Sequence, residues 1–383
     1  MNILFIGGTG RLSKDVAYKA LLNGNRVFLL TRGSGDKKLF IHDGYTMLYG
    51  DIRNVEKCKE LLKGYFFDTV IDFLSFTVQQ LESTLSILEG KYCQYIFIST
   101  ATVYDCGCCQ DEIKEELTPV GNSKWDYAYN KYLCEKHLES AFQDCRLTYY
   151  TIIRPYVTYG NTRFPYPIVP QNIDKEWSLI FRMINGCPVP VFEHGDIITT
   201  LTHTRDFAEF AVGLFGNDKA KNEVFHITSD ERTKWESILD VLDAHLNIKS
   251  KRFYISQREI ITALPYYKGI LEGDKGNTRI FDNTKIKNAV KNSSFRIKLT
   301  DGLYETLVFY QNHPERQIID YKWLGEIDKL CDLKHIKTKR IRFPSIFERK
   351  QYNVGRYGTT SIMKYELRKI KYCIFKLKGL MRT

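Results

Sequence analysis

The run Gly7-Gly8-Thr9-Gly10-Arg11-Leu12-Ser13 constrains this chain more than any other feature, because it joins an apolar segment, Asn2 to Ile6, to a segment of helical period. Three glycines in four positions permit a tight turn and a close backbone approach that larger residues would block. Strand, glycine turn and helix in that order leave unpaired helix N-terminal amides aimed at one spot, an arrangement suited to a phosphate.

The rest of the first half repeats the theme. Short β-branched or aromatic runs fall at Asn2 to Ile6, Arg26 to Leu30, Thr46 to Tyr49, Thr69 to Phe73, Gln94 to Ser99 and Leu147 to Ile153. Helical periods lie between them at Leu12 to Leu22, Val55 to Leu62, Val78 to Leu88 and Trp125 to Phe142. Such alternation predicts an α/β chain with a Rossmann-type doubly wound parallel sheet. After Gly160, Arg163-Phe164-Pro165-Tyr166-Pro167 reads as a loop suited to wrapping a ligand. Helices are expected at Trp177 to Ile184, Thr204 to Phe215 and Trp235 to Leu246, with a strand at Glu223 to Thr228. The expected organisation is a dinucleotide-binding domain over 1–160, a smaller substrate lobe interleaved with the last sheet elements over 161–333, and a basic helical tail over 334–383.

In that setting the glycine loop reads as a dinucleotide cradle formed by Gly7, Gly8, Thr9, Gly10, Arg11 and Leu12. Ser13 stands where a third glycine is often found, and its small side chain still lets the helix lie near the strand. The second strand ends Leu29-Leu30-Thr31-Arg32-Gly33, without the acid that grips a ribose 2′-hydroxyl. Arg32 suits a 2′-phosphate instead, which favours NADP over NAD. In Gly50-Asp51-Ile52-Arg53, Asp51 and Ile52 are placed at the adenine, although Asp51 equally suits a helix N-cap.

The formal charge of +11 is unevenly spread. Residues 334–383 carry 15 Lys or Arg against Glu348 and Glu366, a net +13, which leaves the body near neutral at −2. Met363, Leu367, Ile370, Ile374, Leu377 and Met381 form an apolar seam at helical spacing amid these cations. A basic amphipathic helix of this kind lies on an anionic membrane, docks on a partner, or packs on its own body or a second copy in a homodimer. Nucleic acid is not expected, since no reading motif accompanies the charge. No run approaches the roughly 18 apolar residues of a membrane span. The ten cysteines lack a disulfide-framework spacing, and Cys106, Cys108 and Cys109 lack a fourth ligand at a zinc-site interval. Reduced thiols, no metal and a cytoplasmic location, with the membrane periphery as an option for the tail, are therefore expected.

Tyr127 and Lys131 stand four apart on one face of the helix expected at Trp125 to Phe142. An ammonium beside a phenol lowers its pKa by roughly one to three units from about 10 and makes a usable proton shuttle. Taken alone, the pair is also an ordinary solvated helix pair. The preceding strand ends Ser99-Thr100-Ala101-Thr102-Val103-Tyr104, bringing hydroxyls to the carboxyl edge where open α/β sheets bind ligands.

Glycine loop, hydroxyl-bearing strand end and Tyr-Lys helix, together with Arg154-Pro155-Tyr156-Val157-Thr158-Tyr159-Gly160, resemble the extended short-chain dehydrogenase/reductase family, over about residues 1–250. The resemblance implies that Thr100 holds the substrate hydroxyl and Tyr127, that Tyr127 is the acid/base, and that Lys131 binds the nicotinamide ribose. It also implies nucleotide-linked sugar substrates and hydride exchange at a nicotinamide. Sugar dehydratases of the family carry an Asp-Glu pair after the Thr100 position; Ala101 and Thr102 stand here, and the string is similar to that of UDP-galactose 4-epimerase. Epimerisation through a transient ketosugar is thus the leading expectation. An NADP-dependent ketosugar reductase and a non-catalytic dinucleotide-binding protein that recruits RNA or membrane through its tail are the rivals. Thr102, Arg163, Arg182 and Arg205 are the candidate substrate contacts, the arginines for a diphosphate. Arg205-Asp206 departs from the family's acidic pair at that place, and Cys106 from its glycine.

Overall fold

The computed structural model describes residues 1–33, 42–105, 112–143, 145 and 147–359. The chain divides into two compact units. The first comprises Met1–Pro165, Ile197–Ile238 and Lys268–Leu307.

The first unit is built on a parallel sheet. Its strands are β1 (Asn2–Ile6), β2 (Arg26–Thr31), β3 (Tyr45–Tyr49), β4 (Phe67–Asp72), β5 (Tyr92–Ile98), β6 (Tyr149–Pro155) and a last strand, Glu223–Ile227. Across the sheet they run β3, β2, β1, β4, β5, β6 and Glu223–Ile227, every neighbouring pair parallel. The order reverses between β1 and β4, the switch point where open α/β sheets leave a crevice beyond their carboxyl ends. The doubly wound sheet is as the sequence predicts, with β6 beginning two residues later than its apolar run because Leu147 is 91% exposed.

Side-chain alternation along β1 explains why both faces are covered. Ile3 and Phe5 join one core with Val16 and Ala17 of α1 (Ser13–Leu22) and with Phe207 and Phe210. Leu4 and Ile6 join the opposite core with Cys58 of α2 (Val55–Leu61), Leu81 of α3 (Val78–Leu88) and Leu138 of α4 (Asp126–Ala141). Burial on both faces is what turns these strands into near-continuous apolar runs.

The second unit comprises Tyr166–Asp196, Leu239–Tyr267 and the chain from Val308 onward. It contains helices Trp177–Ile184 and Tyr321–Leu333, the parallel strand pair Val189–Phe192 and Arg252–Ile255, and a helix over residues 346–359. Two glycines let the last helix meet helix Tyr321–Leu333 at backbone distance: a Cβ on Gly325 would lie 2.1 Å from the Tyr352 carbonyl oxygen, and one on Gly355 would lie 2.0 Å from that of Lys322. The opening part of the basic segment is thereby built into this unit. The seam Met363 to Met381 and the cluster Cys106, Cys108 and Cys109 lie outside the described residues.

Candidate active site

At the switch point, Gly7 leaves β1 with φ +87°, and a Cβ there would collide with Leu74 Cγ at 2.7 Å. Glycine is required on both counts. Ser13 does more than substitute for a third glycine. Its hydroxyl donates to the Gly7 carbonyl (2.6 Å) and accepts from the Gly10 amide (2.8 Å), tying the loop to the first turn of α1. Those bonds, together with the Lys14 amide donating to the Gly10 carbonyl at 3.1 Å, fix the loop against the start of α1.

Two cavities meet on this loop, sharing Gly7, Gly10, Leu74 and Phe76. One, of about 310 Å³, is lined by Thr9, Leu30, Arg32, Asp51, Ile52 and Arg53. Asn54, not Asp51, caps α2, its side chain accepting from the Lys57 amide. Asp51 accepts only from the nearby Arg53 amide among the described residues (3.1 Å), which leaves its carboxylate on the cavity wall. Arg32 and Arg53 bring two guanidinium groups to the same end.

The other cavity, of about 460 Å³, brings together Arg11, Leu12, Thr100, Thr102, Tyr127, Lys131 and Arg163. Phe76, Trp125, Tyr156, Asp274 and Lys275 complete much of its wall. A glycine cradle continuous with two such cavities, one flanked by guanidinium groups and one by a phenol and hydroxyls, fits a dinucleotide laid across the switch point. Gly7, Thr9, Gly10, Arg11 and Leu12 line these cavities, whereas Gly8 lines neither and packs on Leu29, where a Cβ would lie 2.5 Å from Leu29 Cδ2.

Thr100 ends the strand edge with its Oγ1 3.0 Å from that of Thr102, and it also accepts from the Thr102 amide. The Tyr127 phenol faces Thr100 and Arg163. Burial pushes its pKa up, while the hydrogen bond from Thr100 and the charge of Arg163 act against that rise. The lowering expected from Lys131 is not what the geometry delivers. The Lys131 ammonium instead donates to the carbonyls of Ser75 and Ile98, both at 2.7 Å, and sits over the rings of Phe76 and Phe97 at 4.5 and 4.6 Å. Desolvation brings its pKa down to about 8. The ammonium is occupied by the carbonyl that ends β5 and by one in the loop after β4, and the Phe76 ring over which it sits packs 6.2 Å from that of Tyr127.

Two of the four expected substrate contacts need correction. Arg182 lies in the second unit, wholly buried, and spends its guanidinium on Asp328 (2.8 Å), Pro188 and Leu324. Arg205 is exposed and paired with both carboxylate oxygens of Glu305 at 2.6 Å, off both cavity walls. Its neighbour Asp206 accepts from the amides of Arg296 and Ile297, a structural clamp. Conversely, Trp125, Asp274 and Lys275 were not singled out. Trp125 stood at the start of the expected helix, but Asp274 and Lys275 carry no local motif that ties them to Tyr127. Among the described residues no group of acids, histidines and cysteines is arranged to hold a metal ion.

A Rossmann-type sheet with a glycine cradle, a hydroxyl-bearing strand end and a tyrosine and lysine on one helix defines a nicotinamide-dependent enzyme class of the extended short-chain dehydrogenase/reductase kind. The profile of the NAD dependent epimerase/dehydratase family matches residues 3–228, and the chain belongs to that family. It is 27% identical over 248 residues to the chloroplast stem-loop binding protein of 41 kDa b of Arabidopsis thaliana, spanning 62% of this chain and 61% of that one. It is 22% identical over 331 residues to the bifunctional polymyxin resistance protein ArnA of Wigglesworthia glossinidia brevipalpis, spanning 78% of this chain and 50% of that one. The chain thus spans half to three-fifths of the length of these curated relatives. Among solved structures, UDP-glucuronic acid 4-epimerase from Bacillus cereus in complex with NAD superimposes with a TM-score of 0.63 at 19% identity, over 82% of this chain and 99% of that one. UDP-glucose 4-epimerase from Bifidobacterium longum in complex with NAD+ and UDP gives 0.66 at 15%, over 82% and 100%. At such identities the likeness establishes the fold.

Proposed function

We propose that this protein epimerises a nucleotide-linked sugar at a ring carbon, through a transient ketosugar, with NADP held across the switch point. The observation that carries the reading is the convergence of Thr100, Tyr127 and Lys131 on one cavity with the glycine loop. A bound nicotinamide supplies a hydride acceptor that later returns the hydride. Tyr127 takes the proton of the sugar hydroxyl and gives it back after the ring has turned. Thr100 orients that hydroxyl and hydrogen-bonds the phenol, and Arg163 favours its ionised form. Lys131, with two of its three donors on backbone carbonyls, offers the third to a ribose hydroxyl. Arg32 and Arg53 support NADP, since guanidinium pairs well with a 2′-phosphate.

The test is turnover of UDP-glucose, UDP-galactose and related nucleotide sugars by the purified full chain, with products resolved by NMR. Epimer formation that falls about 100- to 10,000-fold in Tyr127→Phe supports the reading. Net consumption of reduced dinucleotide would instead make the protein a ketosugar reductase.

A second reading concerns the basic segment, and the printed name of the stem-loop binding relative favours it. Lys337, Lys339, Arg340, Arg342, Arg349 and Lys350 are exposed, as are Ile346 and Phe347, and no carboxylate among the described residues pairs with these cations. We infer a polyanion-binding role for this segment, separate from the cavity. Replacing Lys337, Lys339, Arg340, Arg342, Arg349 and Lys350 by glutamine should release the full chain from structured RNA or from anionic vesicles while leaving turnover intact; unchanged retention on both would refute the role.

A further inference from the structure

We propose that Asp274 contacts the sugar itself, its carboxylate accepting a hydrogen bond from a hydroxyl of a neutral hexose ring beside the carbon that Tyr127 serves. The assignment rests on the nucleotide-sugar reading above and adds a specificity residue to it. Asp274 is 1% exposed and lies on the same cavity wall as Trp125, Tyr127 and Tyr156. Its Oδ1 is buried without a hydrogen-bond donor among the described residues. The nearest cation, Arg279 Nε, stands 3.7 Å away, too far for a hydrogen bond. Burial pushes the Asp274 carboxyl up against the pull of Arg279, and the Tyr156 hydroxyl beside it makes no hydrogen bond of acceptable geometry, so an acceptor withdrawn from water is left one donor short, which is costly unless something in the cavity completes it.

The segment that carries Asp274 is bolted to the catalytic elements. Asn122, itself buried, donates to the Thr102 carbonyl (2.8 Å) and to the Gly273 carbonyl (2.6 Å), tying the residue before Asp274 to the strand end of Thr100 and Thr102. Arg279 donates to the same Gly273 carbonyl at 3.1 Å and to that of Tyr104 at 3.4 Å. Trp125 packs against Gly273 closely enough that a Cβ there would lie 2.9 Å from Trp125 Cβ. The carboxylate is therefore held in place beside the tyrosine.

The chemistry of that wall selects its ligand. A carboxylate repels phosphate and uronate oxygens and accepts from O–H, so the diphosphate belongs elsewhere, near Arg163 and Lys275 on the same cavity. A hexose ring presents hydroxyls on the carbons that flank the reacting one, and one of these completes Asp274.

The test is a coupling experiment on the full chain loaded with dinucleotide. Wild type, Asp274→Ala and Asp274→Asn are assayed on UDP-glucose and on its 2-, 3- and 6-deoxy analogues, with a dinucleotide titration to verify that each variant is folded. In wild type one analogue should lose about 10- to 100-fold in kcat/KM, the worth of a hydrogen bond to a charged group. In Asp274→Ala the parent sugar should fall by a similar factor and that analogue should lose nothing further. Equal losses on the parent and every analogue, in both variants, would make Asp274 a structural residue and overturn the assignment alone. Wild-type protein that turns over no nucleotide sugar would overturn the reading on which it rests as well.

Discussion

Lys131 and Arg182 are withdrawn from water to nearly the same degree, 2% and 0% exposed, one in each compact unit, yet their donors are spent differently. Arg182 uses four of its five donors on Asp328 and on the carbonyls of Pro188 and Leu324. One donor remains, and Arg182 lines neither cavity. Lys131 hydrogen-bonds no carboxylate among the described residues, is held by two carbonyls and two aromatic faces, and lies on a cavity wall. Burial alone therefore does not mark a functional cation. What marks it is burial at a cavity with no carboxylate hydrogen-bonded to it.

Replacing each cation by methionine should separate the two roles. Arg182→Met strands a buried carboxylate and should cost about 3–5 kcal/mol in urea unfolding, nearer the lower figure because Tyr352 and Arg356 also reach Asp328. Lys131→Met removes a desolvated charge but leaves the Ser75 and Ile98 carbonyls without their donor, so it should cost about 1–2 kcal/mol, less than Arg182→Met, while dinucleotide affinity falls about tenfold. Equal destabilisation by both would show that Lys131 is structural too.

A smaller effect is expected at the other end of the dinucleotide site. Arg32→Ala should weaken NADP binding about tenfold and leave NAD binding unchanged, measured by titration of the dinucleotide-free protein. Equal loss for both dinucleotides would return the cofactor reading to NAD.

The smallest effect tests a third kind of buried charge, a pair whose members pull in opposite directions. Glu115 accepts from the His226 amide, and His226 Nδ1 lies 3.1 Å from the Tyr104 hydroxyl. Burial pushes Glu115 up from 4.5 to about 7, so its stabilising contribution is complete below pH 4.5 and is lost as pH rises through 7. Burial pushes His226 down from 6.5 to about 4, so its contribution is complete above pH 6.5 and is lost as pH falls through 4. Between those limits the two largely cancel. Glu115→Gln should expose the histidine, and the variant should lose about 1 kcal/mol between pH 7 and pH 5 where the wild type is nearly flat.

The contrast between the two cations also shows which parts of the site the sequence could convey. Gly7, Tyr127 and Lys131 are legible because their meaning is local: a turn after a strand, two residues on one helix face. The sheet is legible because each strand buries both faces. Arg182 was misplaced because its partner Asp328 lies 146 residues further on, and nothing beside Arg182 announces it. Asp274 was missed for the same reason, being brought to Tyr127 by Asn122, whose bond to Gly273 spans 151 residues. The direction of the Lys131 ammonium depended on where the Ser75 and Ile98 carbonyls came to lie, which helical spacing does not encode.

A cavity that removes a hydride from a sugar carbon and returns it to the same carbon leaves a mark that can be followed by NMR in the conversion of UDP-glucose deuterated at carbon 4. UDP-galactose should form with deuterium kept at carbon 4 and with no net change in nicotinamide absorbance. Loss of the label to solvent, or accumulation of one equivalent of reduced dinucleotide, would contradict that return.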